Sequence, residues 1–151
     1  MLKETNIDNK ETELGKDLFN IFDGFVKKGT VVEEREVISG FKVKLKVLNV
    51  SELMEAESII NIDRAPSDIV AKVRGASILS QAILTLNSND IEKENLTKEE
   101  IRTRRFILYK QLLTLPAIVI QKIYSFYIEC VEKQERYYSD FGKTVDEMQN
   151  F

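Results

Sequence analysis

The side chains that carry out most enzyme chemistry are scarce in this sequence. Its 151 residues include no His, no Trp and one Cys, Cys130. This composition excludes histidine acid–base catalysis, Ser-His-Asp and Cys-His nucleophile pairs, Cys/His zinc sites and disulfide frameworks. The six Gly residues form neither GxxxxGK nor GxGxxG, so no phosphate-binding loop is indicated. We predict that the protein is not an enzyme and that it binds no cofactor.

One thiol and two acidic clusters remain as candidates for chemistry. Cys130 lies beside Val131 in an apolar stretch, and we interpret it as a small buried hydrophobic residue rather than a reactive thiol. The acidic clusters are Glu33, Glu34 and Glu36 in a predicted strand, and Glu92 and Glu94 in a predicted loop. Neither cluster supplies enough oxygen ligands for a metal cage, so we predict no metal site.

Positive charge is concentrated in one region. Residues 97–128 contain six basic and two acidic side chains, which gives a net charge of +4. The basic side chains of the first helix predicted there are Lys98, Arg102, Arg104, Arg105 and Lys110. One interpretation is contact with acidic segments of a protein partner, for which Arg102 and Arg105 are our candidates. The other is nucleic-acid binding through the basic helix 98–110, which the spread of these cations around the helix disfavours.

Aromatic residues are concentrated in the last third of the chain, which contains all five Tyr residues. The final helix predicted there is apolar on more than one side, as is typical of a helix shared between a core and a partner. We expect Tyr124 and Tyr127 to pack in the core. Tyr137, Tyr138 and Phe141 follow the densest apolar stretch, and they are our candidates for partner contact.

The elements that position these residues begin with a polar N-terminus. Residues 1–13 contain few large apolar side chains and are predicted to form a mobile arm, followed by a single domain over 14–151. Leu14, Leu18 and Ile21 recur at helical spacing, which predicts a short amphipathic helix that ends at Gly29. The arm and this helix can dock either on the main body or on another protein.

A β-hairpin is predicted at about 30–48. Residues 41–47 alternate strictly between apolar side chains and Lys, which predicts a strand with one buried face. Ser39-Gly40 supplies the turn to the preceding strand. We favour a three-residue turn with Gly40 in the left-handed region, which pairs Val37 with Phe41, Glu36 with Lys42 and Glu34 with Lys44. A two-residue turn, which pairs Ile38 with Phe41, is the alternative.

Helices account for the rest of the chain. Ser51 is the predicted N-cap of a helix over 52–60. The stretch Ala65-Pro66-Ser67-Asp68 then breaks the chain and starts a helix whose apolar stripe runs from Ile69 to Leu86. Thr97 to Glu100 forms a capping-box pattern that opens the basic helix, and Pro116 marks a corner before the final helix. We predict an α+β fold that is mostly α, with one antiparallel hairpin packed against about five helices.

The order of these signals carries a family resemblance. A lysine-rich strand is followed by VRGASILSQAILTLN (73–87), Arg105, LLTLP (112–116) and IYSFY (123–127). Over residues 41–138 this order resembles small tailed-bacteriophage proteins known as tail assembly chaperones or baseplate-hub assembly proteins. The resemblance implies a non-enzymatic assembly or structural protein. It also implies protein partners, namely a tape-measure protein, a hub protein or copies of itself. A small cytoplasmic adaptor or regulator that binds nucleic acid is the alternative function.

Location is predicted from what the apolar stretches contain. Residues 1–13 are polar and acidic and do not resemble a signal peptide. The most apolar stretch, 112–131, contains Pro116, Lys122 and Glu129, so we reject a transmembrane helix there. We therefore expect a cytoplasmic protein. With the phage resemblance, this means the host cytoplasm during assembly and, for a subunit that stays in the particle, the virion tail or baseplate.

Overall fold

The computed structural model of the chain describes residues 2–60 and 67–149, and their side chains except at 2–10, 25–28, 68 and 141–149. The chain forms two compact units, Met1–Thr30 and Val31–Phe151. The division predicted between residues 1–13 and 14–151 stays a prediction. The first unit contains one helix, α1 (Leu2–Gly29). It ends at Gly29 as predicted, but it begins at Leu2 instead of Leu14. The mobility expected of residues 1–13 stays a prediction.

The second unit contains an antiparallel sheet in the strand order β1-β2-β3-β4. Its strands are β1 (Val32–Ile38), β2 (Phe41–Lys46), β3 (Ile83–Leu86) and β4 (Asn89–Asp90). The predicted hairpin is therefore confirmed, and two further strands extend it. The alternation predicted for β2 is also confirmed, because Val43 and Leu45 are buried while Lys42 and Lys44 are exposed. One face of the sheet thus lies on the core.

The hairpin combines features of both registers considered from the sequence. Its cross-strand pairs include Ile38–Phe41, Glu36–Lys42 and Glu34–Lys44. The predicted pairing of Val37 with Phe41 is wrong, because a two-residue turn closes the hairpin and the register shifts between Glu36 and Ile38. The extra residue is absorbed as a bulge within β1, which restores the predicted charge pairs. Gly40 has a φ of 79°, the left-handed conformation expected of it.

Four helices follow in the described part of the second unit. They are α2 (Val50–Ser58), α3 (Ser67–Ala82), α4 (Lys98–Leu112) and α5 (Ala117–Gln149). The N-cap of α2 is Asn49 rather than Ser51, and Asn49 forms a reciprocal capping box with Glu52. Thr97 caps α4 as predicted, since its hydroxyl accepts the backbone N–H three residues on. Pro116 separates α4 from α5, which confirms the predicted corner.

The helix predicted to continue to Leu86 ends at Ala82, and the next four residues form β3. Ile83 pairs with Leu45 and Leu86 with Val43, so β3 extends the hairpin on the side of β2. Asn87 and Ser88 then have positive φ angles of 48° and 67°, the conformation of a type I′ turn to β4. The predicted stripe is wrong in its last part because backbone pairing with β2, a contact distant in sequence, replaces helical hydrogen bonding.

The core lies between the sheet and the helices packed on it. Its buried residues are Val43, Leu45, Val47, Leu48, Ala76, Leu79, Ala82, Ile83, Leu108, Tyr109, Leu112, Ile120, Ile123, Phe126, Tyr127 and Cys130. Tyr127 is buried as predicted, and the half-buried ring of Tyr124 packs on Gly75. The fold is α+β and mostly α, with five helices and a four-stranded sheet in the described residues. None of the described helices is both long and apolar enough to cross a membrane.

Candidate interaction surfaces

Arg105, a sequence-based candidate for partner contact, lies in the interior and is only 3% exposed. Its Nη1 donates hydrogen bonds to the carbonyl oxygen of Ser80, at 3.1 Å, and to that of Ile83. Its Nη2 and Nε donate to Oε1 of Glu92 at 3.0 Å and 3.3 Å. The guanidinium therefore joins α4 to the end of α3, to the start of β3 and to the loop before α4. We assign Arg105 a structural role and leave it out of the partner surface.

The end of α3 explains why a buried cation is needed there. The last four carbonyls of a helix have no partner within it, and a glycine cap or a cation often satisfies them. α3 instead continues directly into β3 at Ile83, without a glycine. Ser80 lies in that last turn, and Arg105 provides its donor. No sequence signal indicated this role, because the sequence does not show that α3 ends at Ala82.

Two other arginines of α4 also have partners within the second unit. Arg102 keeps an exposed side chain, and its Nε lies 2.9 Å from Oε1 of Glu55 in α2. Arg104 Nε donates to the carbonyl oxygen of Ile91 at 2.5 Å. Three of the five cations assigned to the basic helix, including Arg105, are thus engaged inside the chain. Of the two candidates, only Arg102 lies where a partner can reach it.

The first half of α5 is attached to one side of β1 by polar contacts. These are Val31 N–H to Gln134 Oε1 (3.1 Å), Glu33 Oε1 to Lys133 Nζ (2.6 Å) and Arg35 Nη1 to Glu129 Oε2 (2.6 Å). Glu33 and Arg35 share one side of β1, Lys133 and Glu129 share one face of α5, and the Val31–Gln134 contact continues this line just before β1. The guanidinium of Arg35 also lies 4.5 Å from the ring centroid of Phe126. This line fixes α5 to the sheet as far as Gln134.

Beyond Gln134, α5 presents an aromatic pair. Tyr137 is 45% exposed and Tyr138 is half-buried, and their rings meet edge to face with centroids 5.2 Å apart. The remaining residues of the stretch 135–140 are exposed. Phe141 lies in α5, but its side chain is outside the described residues. The structure thus brings two of the three aromatic candidates together on an otherwise polar stretch, where they offer apolar area to another protein.

Cys130 is buried, which confirms its interpretation as a core residue. Burial, followed by the negative charge of Glu33, raises the pKa of the thiol to about 11. The thiol is therefore protonated at neutral pH and is a poor nucleophile. The hydrogen bond from Lys133 holds the pKa of the Glu33 carboxyl below its usual value of 4.5. Across residues 2–60 and 67–149, no three His, Cys, Asp or Glu side chains converge on a possible metal site.

α1 presents a broad apolar face. Leu14, Leu18, Phe19, Ile21 and Phe22 are between 42% and 67% exposed. Their positions span about 160° of the helix at 100° per residue, a wide arc for a helix surface. The spacing in the sequence revealed the stripe. Its exposure, which makes it a candidate surface, could not be inferred from spacing alone.

Comparison with known proteins gives no family assignment for this fold. No family model matches the chain, and neither does any curated protein or solved structure. The resemblance to phage tail proteins therefore stays a prediction from the sequence.

Proposed function

We propose that the protein is a non-enzymatic assembly or structural protein of a bacteriophage tail or baseplate, and that it acts through protein–protein contacts. The sequence resemblance over residues 41–138 supports the phage context. The Tyr137–Tyr138 ring pair on α5, in which Tyr137 is exposed, is the observation that carries the protein-contact part of the proposal. Its expected partners are a tape-measure protein, a hub protein or copies of itself. It acts in the host cytoplasm during assembly and, as a subunit, in the tail or baseplate.

The stretch 135–140 of α5 is suited to contact because most of its side chains are exposed. The polar line to β1 ends at Gln134, and from 135 to 140 only Tyr138 is shielded to any degree. Tyr side chains supply large contact area at a low entropy cost, so a pair of them on an exposed helix is an effective anchor. Arg102 adds a positive charge on α4 that a partner carboxylate can reach.

The nucleic-acid alternative receives less support from the geometry. Arg105 is buried and Arg104 is bonded to a loop carbonyl, so Arg102 is the one of these three arginines that phosphate can reach. Each engaged cation removes charge that would otherwise neutralise phosphate. Salt-dependent DNA binding that Arg102→Gln abolishes would favour the alternative instead.

Quantitative mass spectrometry of purified phage particles, compared with the lysate of the cells that produced them, tests the proposed function. A fixed copy number in the particle identifies a structural subunit. Abundance in the lysate with absence from the particle identifies an assembly chaperone. Absence from both, or an unchanged yield of complete tails when the chain is removed, overturns the proposal.

A variant pair on α5 tests the surface separately. Tyr137→Ser is expected to keep the thermal unfolding midpoint of the isolated protein and to lower the yield of complete tails. Arg136→Ser, one residue away on the same exposed stretch, is the matched control and is expected to change neither quantity. Unfolding of the isolated Tyr137→Ser protein would place that ring in the core and remove it from the partner surface.

A further inference from the structure

The apolar face of α1 contains a seam with coiled-coil spacing. Leu14, Leu18 and Ile21 follow one another at intervals of four and three, the spacing of d and a positions in a heptad. They are 58%, 42% and 66% exposed. Isolated helices are marginal in water, and most of their stability in proteins comes from covering an apolar face. The seam therefore needs an apolar cover.

Two glycines flank this seam, one on each side. Gly15 and Gly24 occupy the e and g positions of the same heptad, although glycine lowers helix stability relative to alanine. A Cβ built on either glycine would meet no other side chain of the described residues within 4 Å. Gly75 in α3 is different, because the ring of Tyr124 packs 3.5 Å from its Cβ position. Packing among the described residues thus explains Gly75 but not Gly15 or Gly24.

We propose that α1 pairs with α1 of a second copy of this chain, in antiparallel orientation. The register that sets Leu18 against Ile21 of the second copy repeats this contact by symmetry. It also sets Gly15 beside Phe22 of the second copy, because e positions face each other across an antiparallel pair. The missing Cβ of Gly15 leaves room for that exposed ring. In a parallel pair, Phe22 would instead face the carboxylate of Asp17, which is a poorer match.

The charge order along α1 selects the antiparallel orientation. Glu11 and Glu13 precede the seam in the sequence, and Lys27 and Lys28 follow it. An antiparallel pair sets the acidic end of one helix beside the basic end of the other, whereas a parallel pair sets like charges together. Residues 11–28 carry three basic and four acidic side chains, a net charge of −1, which does not favour an anionic membrane surface.

Sedimentation equilibrium of the full chain across a dilution series tests the pairing. We expect a reversible dimer for the wild type. Leu18→Ser with Ile21→Ser is expected to give a monomer, because it removes the centre of the seam. Lys16→Ser with Asp23→Ser changes the opposite face of the same helix and is expected to leave the dimer intact. A monomeric wild type, or equal effects of the two double variants, would overturn the proposal.

Gly15→Ala is expected to give different results for an α1 that pairs with a second copy and for an α1 that does not. Alanine strengthens an unpaired helix, so in a chain whose α1 contacts no second copy the change raises helicity and leaves the mass unchanged. In the proposed pair the added methyl meets the second copy's Phe22, so the dimer dissociation constant is expected to rise about tenfold despite the better helix former. An unchanged or tighter dimer would refute the close approach at Gly15.

Orientation is tested by zero-length cross-linking of a mixture of isotopically light and heavy chains. Hybrid peptides that join Glu11 or Glu13 to Lys27 or Lys28 are expected of the antiparallel pair. Their absence from a cross-linked dimer would refute this orientation. The pairing does not depend on the phage assignment: a dimer with no place in phage particles would leave this inference standing, and a monomer found in particles would overturn the inference alone.

Discussion

Replacing Arg105 is expected to destabilise the second unit more than any change to an exposed arginine on the same helix. Arg105→Met keeps most of the side-chain length but removes the donors for Ser80 and Ile83. Both carbonyls then lie buried without their charged donor, and each such loss costs about 1–3 kcal/mol. Glu92 contributes little to the total, because its side chain is 47% exposed and water can replace the guanidinium. For the two carbonyls together we expect a loss of about 2–6 kcal/mol.

Urea unfolding followed by tyrosine fluorescence measures this loss. All five Tyr residues lie between 109 and 138, and the sequence has no Trp, so the signal reports the second unit and not α1. Because a domain of this size is stable by only about 5–15 kcal/mol, Arg105→Met brings the unit close to unfolding. Arg105→Lys retains the charge without the planar fork, and its smaller loss keeps the measurement within range.

Two controls separate the buried network from charge in general. Arg102→Met, on the same helix, removes a side chain that is 72% exposed, and it is expected to cost within about 0.5 kcal/mol of zero. Glu92→Gln removes the half-exposed partner and is expected to cost less than about 1 kcal/mol. An Arg105→Met loss no larger than that of Arg102→Met would show that the carbonyls of α3 do not depend on the guanidinium.

Three further changes examine the core and its edge. Thr85 Oγ1 is buried without a hydrogen-bond partner in the described residues. Thr85→Val is therefore expected to raise the unfolding free energy by about 1 kcal/mol. A lower unfolding free energy in urea would show that the hydroxyl has a partner. Leu79 is fully buried, so Leu79→Ala is expected to cost about 2–5 kcal/mol, and a calorimetric change near zero would contradict its placement. The hydrogen bond from Lys133 lowers the pKa of the Glu33 carboxyl in the folded protein. The ion pair therefore contributes its full stabilisation above the pKa of Glu33 in the unfolded chain, and this contribution is lost as the pH falls through the pKa in the folded protein. Lys133→Gln is therefore expected to be less stable than the wild type at neutral pH and to converge with it well below pH 4.5; a constant difference down to strong acid would contradict the linkage.

Features predicted correctly from the sequence have their cause within a few residues. The alternation in β2 needs only the strand period, Pro116 breaks a helix through its own ring, and Thr97 caps with its own hydroxyl. The hairpin was located for the same reason. The bulge was not predicted, because the two turn types with Gly40 differ little locally and the charge pairs are reached through a shift within β1 rather than through the turn.

Features that the sequence did not reveal depend on contacts between distant residues. Ile83 and Leu86 fit a helical stripe as well as a strand, and pairing with Val43 and Leu45 decides for the strand. Arg105 has the same local pattern as Arg102, since both are cations on a helix with neighbouring charges. Where α3 ends determines that Arg105 is buried, and that end depends on the strand pairing. The pairing of β3 with β2 therefore determines both where α3 ends and why Arg105 is buried.

The structure explains why glycine is needed at some positions where the sequence alone gives no reason. Gly40 is explained by its left-handed conformation, and Gly75 by the ring of Tyr124 against its Cβ position. Gly15 and Gly24 have neither reason, because they lie in a regular helix with open space beside them. A glycine that weakens a helix and has open space at its Cβ position among the described residues leaves room for a second molecule there. The exposed seam between the two glycines gives such a contact its apolar surface, and the order of charge along α1 identifies a second, reversed copy as the molecule that fits it.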